Sequence, residues 1–282
     1  MIAPLAAALR SYARAGVQLT EPALVEAVAP MGSGLTLAPW PNRIANARWF
    51  LDGKLQRLDI TEVARGHAIH GLLRNQEYRV LAREHHSMRL SARIYPQHGY
   101  PFQLRHEVHY RLTETGSLAV AQTLFNESDR AAPAALGAHP YLRLGDVPTE
   151  QLTLRVPAAQ FLRVNDALIP EGLEPVSPGA DLRSGKVVAE LELDAAYTSL
   201  AFSGGWARST LTADDGRWVS LIQNDACQYV HIFATPGFPD RNKAVAIEPM
   251  SAPANAFNSG DGLQWIEPGA SFSIEWGIES QL

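Results

Sequence analysis

Alternation of apolar and polar side chains is the feature that most limits how this chain can fold. Phe102, Leu104, Val108, Tyr110 and Leu112 share one parity, while Gln103, Arg105, Glu107, His109 and Arg111 share the other. A period of two sends these sets to opposite faces of a strand, one dry and one wet. The same period recurs over residues 88–95, 118–125, 218–223, 229–234, 245–248 and 272–278, with turn residues between many of the runs. Many strands and hardly any long amphipathic helix predict an all-β domain. Residues 2–15 depart from the pattern, because an Ala-rich stretch with Pro4 near its start reads as a short helix on propensity. The 21 Gly and 19 Pro are dispersed, and no repeat or low-complexity block interrupts the chain. A single domain over 1–282 is the simpler organisation.

Composition narrows the partners. With 24 Lys and Arg against 29 Asp and Glu, a net charge of -5 provides no positive field for a phosphate backbone, which argues against nucleic acid. The apolar run at residues 2–9 is too short to cross a bilayer, and Arg10 and Arg14 follow it rather than precede it. Neither a signal peptide nor a membrane span is expected. Cys227 is the sole cysteine, so no internal disulfide can form, in keeping with a reducing cytoplasm.

Four segments stand out from the strands: Ala38-Pro-Trp-Pro-Asn-Arg-Ile44, His70-Gly-Leu-Leu-Arg74, Gly137-Ala-His-Pro-Tyr141 and Ala246-Ile-Glu-Pro-Met-Ser-Ala-Pro253. Each sets Pro or Gly beside an Arg, His or Glu, which suits side chains gathered into one pocket by the loops of a rigid scaffold. Taken singly, each has a plain structural alternative. His139 beside Pro suits a hydrogen-bonded core histidine, Arg43 suits a loop tie through carbonyls, and His70-Gly71 suits a turn. Glu248, at the end of the apolar run 245–247, suits a solvated strand-end residue, although its place between Ile247 and Pro249 leaves it fewer routes to water.

Taken in order, with Asp52-Gly53 after the first segment and Asn255-Ala-Phe-Asn-Ser-Gly260 after the last, the set resembles the aldose 1-epimerase family over nearly the whole chain. The resemblance implies a galactose-mutarotase-like supersandwich of mostly antiparallel strands, in place of the helix at residues 2–15. It also implies roles: Glu248 as general base toward the anomeric hydroxyl, His139 as general acid toward the ring oxygen, and His70 as a second imidazole near that oxygen. Arg43 and Asp194 match hydroxyl-binding positions, and Asn42, Trp40 and Tyr141 join them as candidate substrate contacts, the two aromatics with a partial-core alternative. Two departures, Tyr78 where a tryptophan is expected and Ser251 where threonine is frequent, are read as bearing on substrate fit. The first motif lies close to the start of the chain, so a short opening strand is expected.

The residue types also make chemical sense on their own. Exchanging two anomers requires a hemiacetal to open, one proton leaving the C1 hydroxyl while another reaches the ring oxygen. A carboxylate and a protonated imidazole on opposite sides of the bond suffice, and a neighbouring Glu248 would favour the charged form of His139. No metal, nucleotide or other cofactor is expected. The spacings His67/His70 and His106/His109 point to opposite strand faces, His85 and His86 read as solvated turn residues, and no Gly-rich phosphate loop is present. The predicted partner is a small aldose, and the predicted activity is anomer interconversion. Alternatives are a mutarotase for a charged hexose (a 6-phosphate or sulfonate) held through Arg74, Arg241 or Lys243, a glycoside hydrolase, which would need two flanking carboxylates, and a sugar-binding protein without catalysis.

Overall fold

The alternating runs form two large antiparallel sheets. In the computed structural model, which describes residues 1–23 and 28–282, one sheet has nine strands and the other eight. The centre of the nine-stranded sheet is Ser87–Ile94, Leu104–Leu112, Leu118–Asn126, Ser271–Gln281 and Trp218–Asn224, hydrogen-bonded in that order. The eight-stranded sheet runs through Ala158–Val164, Asp194–Leu200, Tyr229–Thr235 and Ala244–Met250. Each run read from the alternation lies on one of these strands or overlaps it, with ends shifted by at most three residues.

Parity decides what each face does. Val108, Val120 and Leu124 of the first sheet and Tyr197, Val230, Ile232, Val245 and Ile247 of the second belong to one continuous hydrophobic core. Burial of that apolar area is the main favourable term holding the sheets together. The other parity of the eight-stranded sheet, carrying Asp194, His231, Phe233 and Glu248, faces away from this core and forms the floor of a cavity. Among the described residues no helix is long and apolar enough to cross a membrane.

The helix suggested by propensity at residues 2–15 does not form. Ala6 and Ala7 have φ of 57° and 46°, and the backbone bonds outward: Leu9 N–H donates to Gly34 O at 2.8 Å and Ala6 N–H to Gln76 O at 2.8 Å. Ala3, Ala6, Ala7 and Ala8 are all buried, so these residues serve as small side chains where backbones crowd together. Tertiary hydrogen bonds override local propensity. The opening strands are short, Ala13–Arg14 paired with Val17–Gln18.

Candidate active site

The strand Ala244–Met250 organises the site. It is buried along its whole length, so Glu248 sits mid-strand rather than at the strand end. On one side Tyr229–Thr235 sets His231 directly opposite Glu248. On the other, Gly137 pairs with Met250 and Tyr141 with Ala246, which brings His139 level with Glu248. Residues opposite one another on neighbouring antiparallel strands share a face, so Glu248 is flanked by two imidazoles. Gly137 is required for this approach, because a Cβ there would lie 2.9 Å from Pro41 Cβ and 3.0 Å from Pro249 O.

Loops supply the remaining wall. Arg43 begins the two-residue ladder Arg43–Ile44 against Ala68–Ile69, and His70 follows directly. Asn42 and His70 both occupy the left-handed region, with φ of 54° and 62°. Such conformations cost of order 1–3 kcal/mol and persist where surrounding contacts impose them. Here the His70 N–H donates to Asn42 O at 2.9 Å, and the Asn42 N–H donates back to His70 Nδ1 at 3.3 Å. Gly71 next to it has φ +72°, and a Cβ would lie 2.0 Å from Ala38 O, so no other residue fits. Behind Arg43, the Asn255 segment acts as a clamp: Ala45 N–H donates to Asn255 Oδ1 at 3.1 Å.

The result is a cavity of about 340 Å³ lined by Glu248, His139, His70, Arg43, Asn42 and Asp194, together with His231, Glu62, Arg65, Phe233, Met31 and Ile69. That volume suits a small ligand. A larger cavity of about 660 Å³ shares Asp194 and Phe233 with it.

His139 Nε2 lies 3.4 Å from Glu248 Oε1, both side chains being 5% exposed or less. The second carboxylate oxygen, Oε2, and His139 Nδ1 are buried without a hydrogen-bond partner among the described residues. Buried polar atoms of this kind are uncommon and call for an explanation, such as a ligand group or an ordered water. The two groups stand side by side on one wall, not on opposite sides of a bond. Side-by-side placement suits anomer chemistry, since the anomeric hydroxyl and the ring oxygen are attached to the same carbon. His139 is stacked on Tyr141 with ring centroids 5.3 Å apart, and meets His70 edge-on at the same distance. Burial, with the nearby charges of His139 and Arg43, keeps the His70 pKa well below the ordinary histidine value, so this imidazole is neutral. Its Nδ1 is engaged by the Asn42 N–H, leaving Nε2–H as the donor.

Asp194 and His231 form a second, tighter pair, His231 Nε2 to Asp194 Oδ1 at 2.8 Å. Burial opposes ionisation of both, but the bond between them prevails. Together with the Glu248 charge it raises the His231 pKa, and together with Arg43 it lowers that of Asp194. Arg43 is held by Glu62 through Nε at 2.8 Å and an Nη at 3.0 Å, a bidentate geometry, while Arg65 Nη1 reaches the same carboxylate at 3.1 Å. Partial burial works against the Glu62 charge, yet Arg43 and Arg65 hold its pKa below the usual range.

Several candidates lie elsewhere. Trp40 is 2% exposed and packs edge-on to Phe257 in the core, with ring centroids 5.4 Å apart, so its indole offers no platform to the cavity. Tyr141 stands behind His139 and packs on Phe238. Tyr78 and Ser251, read as bearing on substrate fit, do not line the cavity. Tyr78 is buried with its hydroxyl 2.7 Å from His106 Nδ1, and Ser251 Oγ accepts the Leu136 N–H at 2.9 Å. Arg241 bonds Glu21 at 2.9 Å and Lys243 donates to Ala189 O at 3.1 Å, and neither lines the cavity that holds Glu248 and His139. Arg74 is close enough to His70 to influence its charge. His106 is buried, His109 faces the opposite side of its strand, and His85 and His86 are exposed. The sequence reading overlooked His231, Glu62, Arg65, Phe233, Met31 and Ile69. Parity within residues 229–234 marks His231 as facing away from Val230 and Ile232, but only the register brings it to Glu248.

Comparison with known proteins bears on the family and the fold. Residues 8–279 match the sequence profile described as aldose 1-epimerase. The chain belongs to the aldose 1-epimerase family. One relative, the uncharacterized protein YihR of Escherichia coli K12, is 31% identical over 249 residues, covering 88% of this chain and 79% of that one. Among solved structures, a GalM/aldose epimerase homologue of C. elegans superposes with a TM-score of 0.86 at 21% identity, over 99% of this chain and 94% of the other. A galactose mutarotase-like protein of Clostridium acetobutylicum gives a TM-score of 0.86 at 16% identity, over 99% and 91%. The all-β architecture of this family member is therefore the galactose-mutarotase-like supersandwich.

Proposed function

We propose that the protein is an aldose 1-epimerase that interconverts the α and β anomers of a hexose by acid–base ring opening and reclosure. The observation that carries this reading is the adjacency of Glu248 and His139 at 3.4 Å, each with an unpartnered buried atom, in a cavity of about 340 Å³. Glu248 takes the proton of the C1 hydroxyl while His139 gives its proton to the ring oxygen, and the C1–O5 bond breaks as the C1 carbonyl forms. The aldehyde rotates about C1–C2. Reclosure on its other face returns the two protons with the roles reversed, so the enzyme ends in its starting state. Neutral His70 contributes an Nε2–H near the ring oxygen, while Arg43 and Asp194 bind hydroxyls.

A neutral sugar fits best, because Arg43 and Arg65, the two arginines lining the cavity, are already paired with Glu62. Exchange NMR on freshly dissolved D-galactose, D-glucose and other aldoses provides the test. Wild type should speed equilibration above the buffer rate, with Glu248→Gln and His139→Asn close to that rate. Equilibration at the buffer rate for every sugar would refute the reading.

A further inference from the structure

Five side chains in the cavity form one continuous chain of hydrogen bonds. Glu62 accepts from Arg43 at 2.8 and 3.0 Å. Arg43 donates to Asn42 Oδ1 through its backbone N–H at 2.9 Å and Nη1 at 3.3 Å. Asn42 Nδ2 lies 3.4 Å from His231 Nδ1, and His231 Nε2 lies 2.8 Å from Asp194 Oδ1. The direction of every bond is determined. Arg43 has no acceptor, so Asn42 must present its oxygen to Arg43 and its NH2 to His231. His231 must then accept at Nδ1 and donate from Nε2.

We propose that His231 is a positioning residue whose neutral Nε2–H form links Arg43 to Asp194, so that the two proposed hydroxyl-binding groups act as one unit and sugar affinity depends on its protonation. The inference deepens the epimerase reading and rests on it for the identity of the ligand.

A proton added at Nδ1 would set N–H against the N–H of Asn42 and break the chain at its middle bond. The groups facing His231 are Asp194 and Glu248 from the neighbouring strands, and Arg43, Asn42 and His70 from the covering loops. Burial and Arg43 oppose the added proton, but Asp194 and Glu248 prevail and raise the pKa above 6.5. The linked form is therefore complete above that pKa and lost as the pH falls through it. One net hydrogen bond corresponds to about a three- to tenfold change in affinity.

Two measurements on the full chain test this. The first is two-bond 1H–15N NMR of histidine-labelled protein without ligand, with His231 assigned by its substitution. Above pH 8 Nε2 should be protonated and Nδ1 bare, and a Nδ1–H tautomer, or a cation persisting there, would overturn the proposal. The second is the KM for D-galactose and D-glucose between pH 6 and 9. His231→Leu should raise KM about tenfold with a smaller change in kcat and no pH dependence assignable to this group. His231→Gln, which can accept from Asn42 and donate to Asp194, should retain more affinity than Leu and also lose that pH dependence. Equal losses in Leu and Gln, or a wild-type pH dependence surviving in both, would sink it. If wild type failed to catalyse anomer exchange at all, the epimerase reading would fall, and the NMR tautomer would still decide on the chain.

Discussion

Two carboxylate–imidazole pairs share one cavity and differ in almost every respect that matters. Asp194 and His231 are closed at 2.8 Å, and His231 is tied further to Asn42. Glu248 and His139 stand 3.4 Å apart, with Oε2 and Nδ1 buried and unpartnered. In the first pair both nitrogens of the imidazole are engaged by protein groups. The second keeps capacity for something not made of protein, at the cost of desolvating polar atoms that gain nothing until a ligand arrives. On the proposed reading it is the unpartnered buried atoms, not chemical type, that set the acid–base pair apart from the other.

The largest expected effect falls on the open pair. Glu248→Gln or His139→Asn should each lower the anomerisation rate by about 10²–10⁴-fold, the usual range for general acid–base catalysis, as read by exchange NMR. A smaller effect belongs to the closed pair. Asp194→Asn should raise KM by roughly tenfold through loss of a charged hydrogen-bonding group, with kcat less affected. If Asp194→Asn instead abolished kcat as Glu248→Gln does, the distinction between the two pairs would collapse.

The closed pair should also appear in stability. Asp194 has a folded pKa below its ordinary 3.8, so its contribution is present above that value and lost as the pH falls through the folded pKa. Urea unfolding should find Asp194→Asn less stable than wild type by about 1–2 kcal/mol at pH 6, the gap closing toward pH 3. The smallest effect on activity is expected from a tyrosine–histidine pair outside the cavity. Tyr78→Phe removes the hydroxyl bound to buried His106, costing about 1–2 kcal/mol of stability by thermal unfolding while leaving kcat/KM at the wild-type level.

Much of the site was legible because its backbone constraints are written in residue types. Gly137 and Gly71 mark positions where a side chain would strike a neighbouring backbone or side chain, and His139 and His70 lie within two residues of them. Glu248 stood out as a charge inside an apolar strand. Trp40 read as a partial core residue sooner than as a sugar platform, but a bulky aromatic beside a motif can point either way, and its packing on Phe257 places it in the core. Glu62 and Arg65 lie some twenty residues from Arg43 in an exposed-looking stretch, and no local pattern connects them to it.

Side-chain parity is a property of the chain itself, so the sequence alone determined that this protein builds sheets, which residues of each strand face inward, and where the turns must fall. Register and loop placement belong to the folded whole. The pairing of residues 229–235 with 244–250 sets His231 against Glu248, and the bonds made by Ala6 and Leu9 with distant segments cancel a local preference for helix. A shift of one residue in that pairing would leave every strand's own pattern intact and yet remove His231 from the cavity, because alternate side chains point to opposite faces.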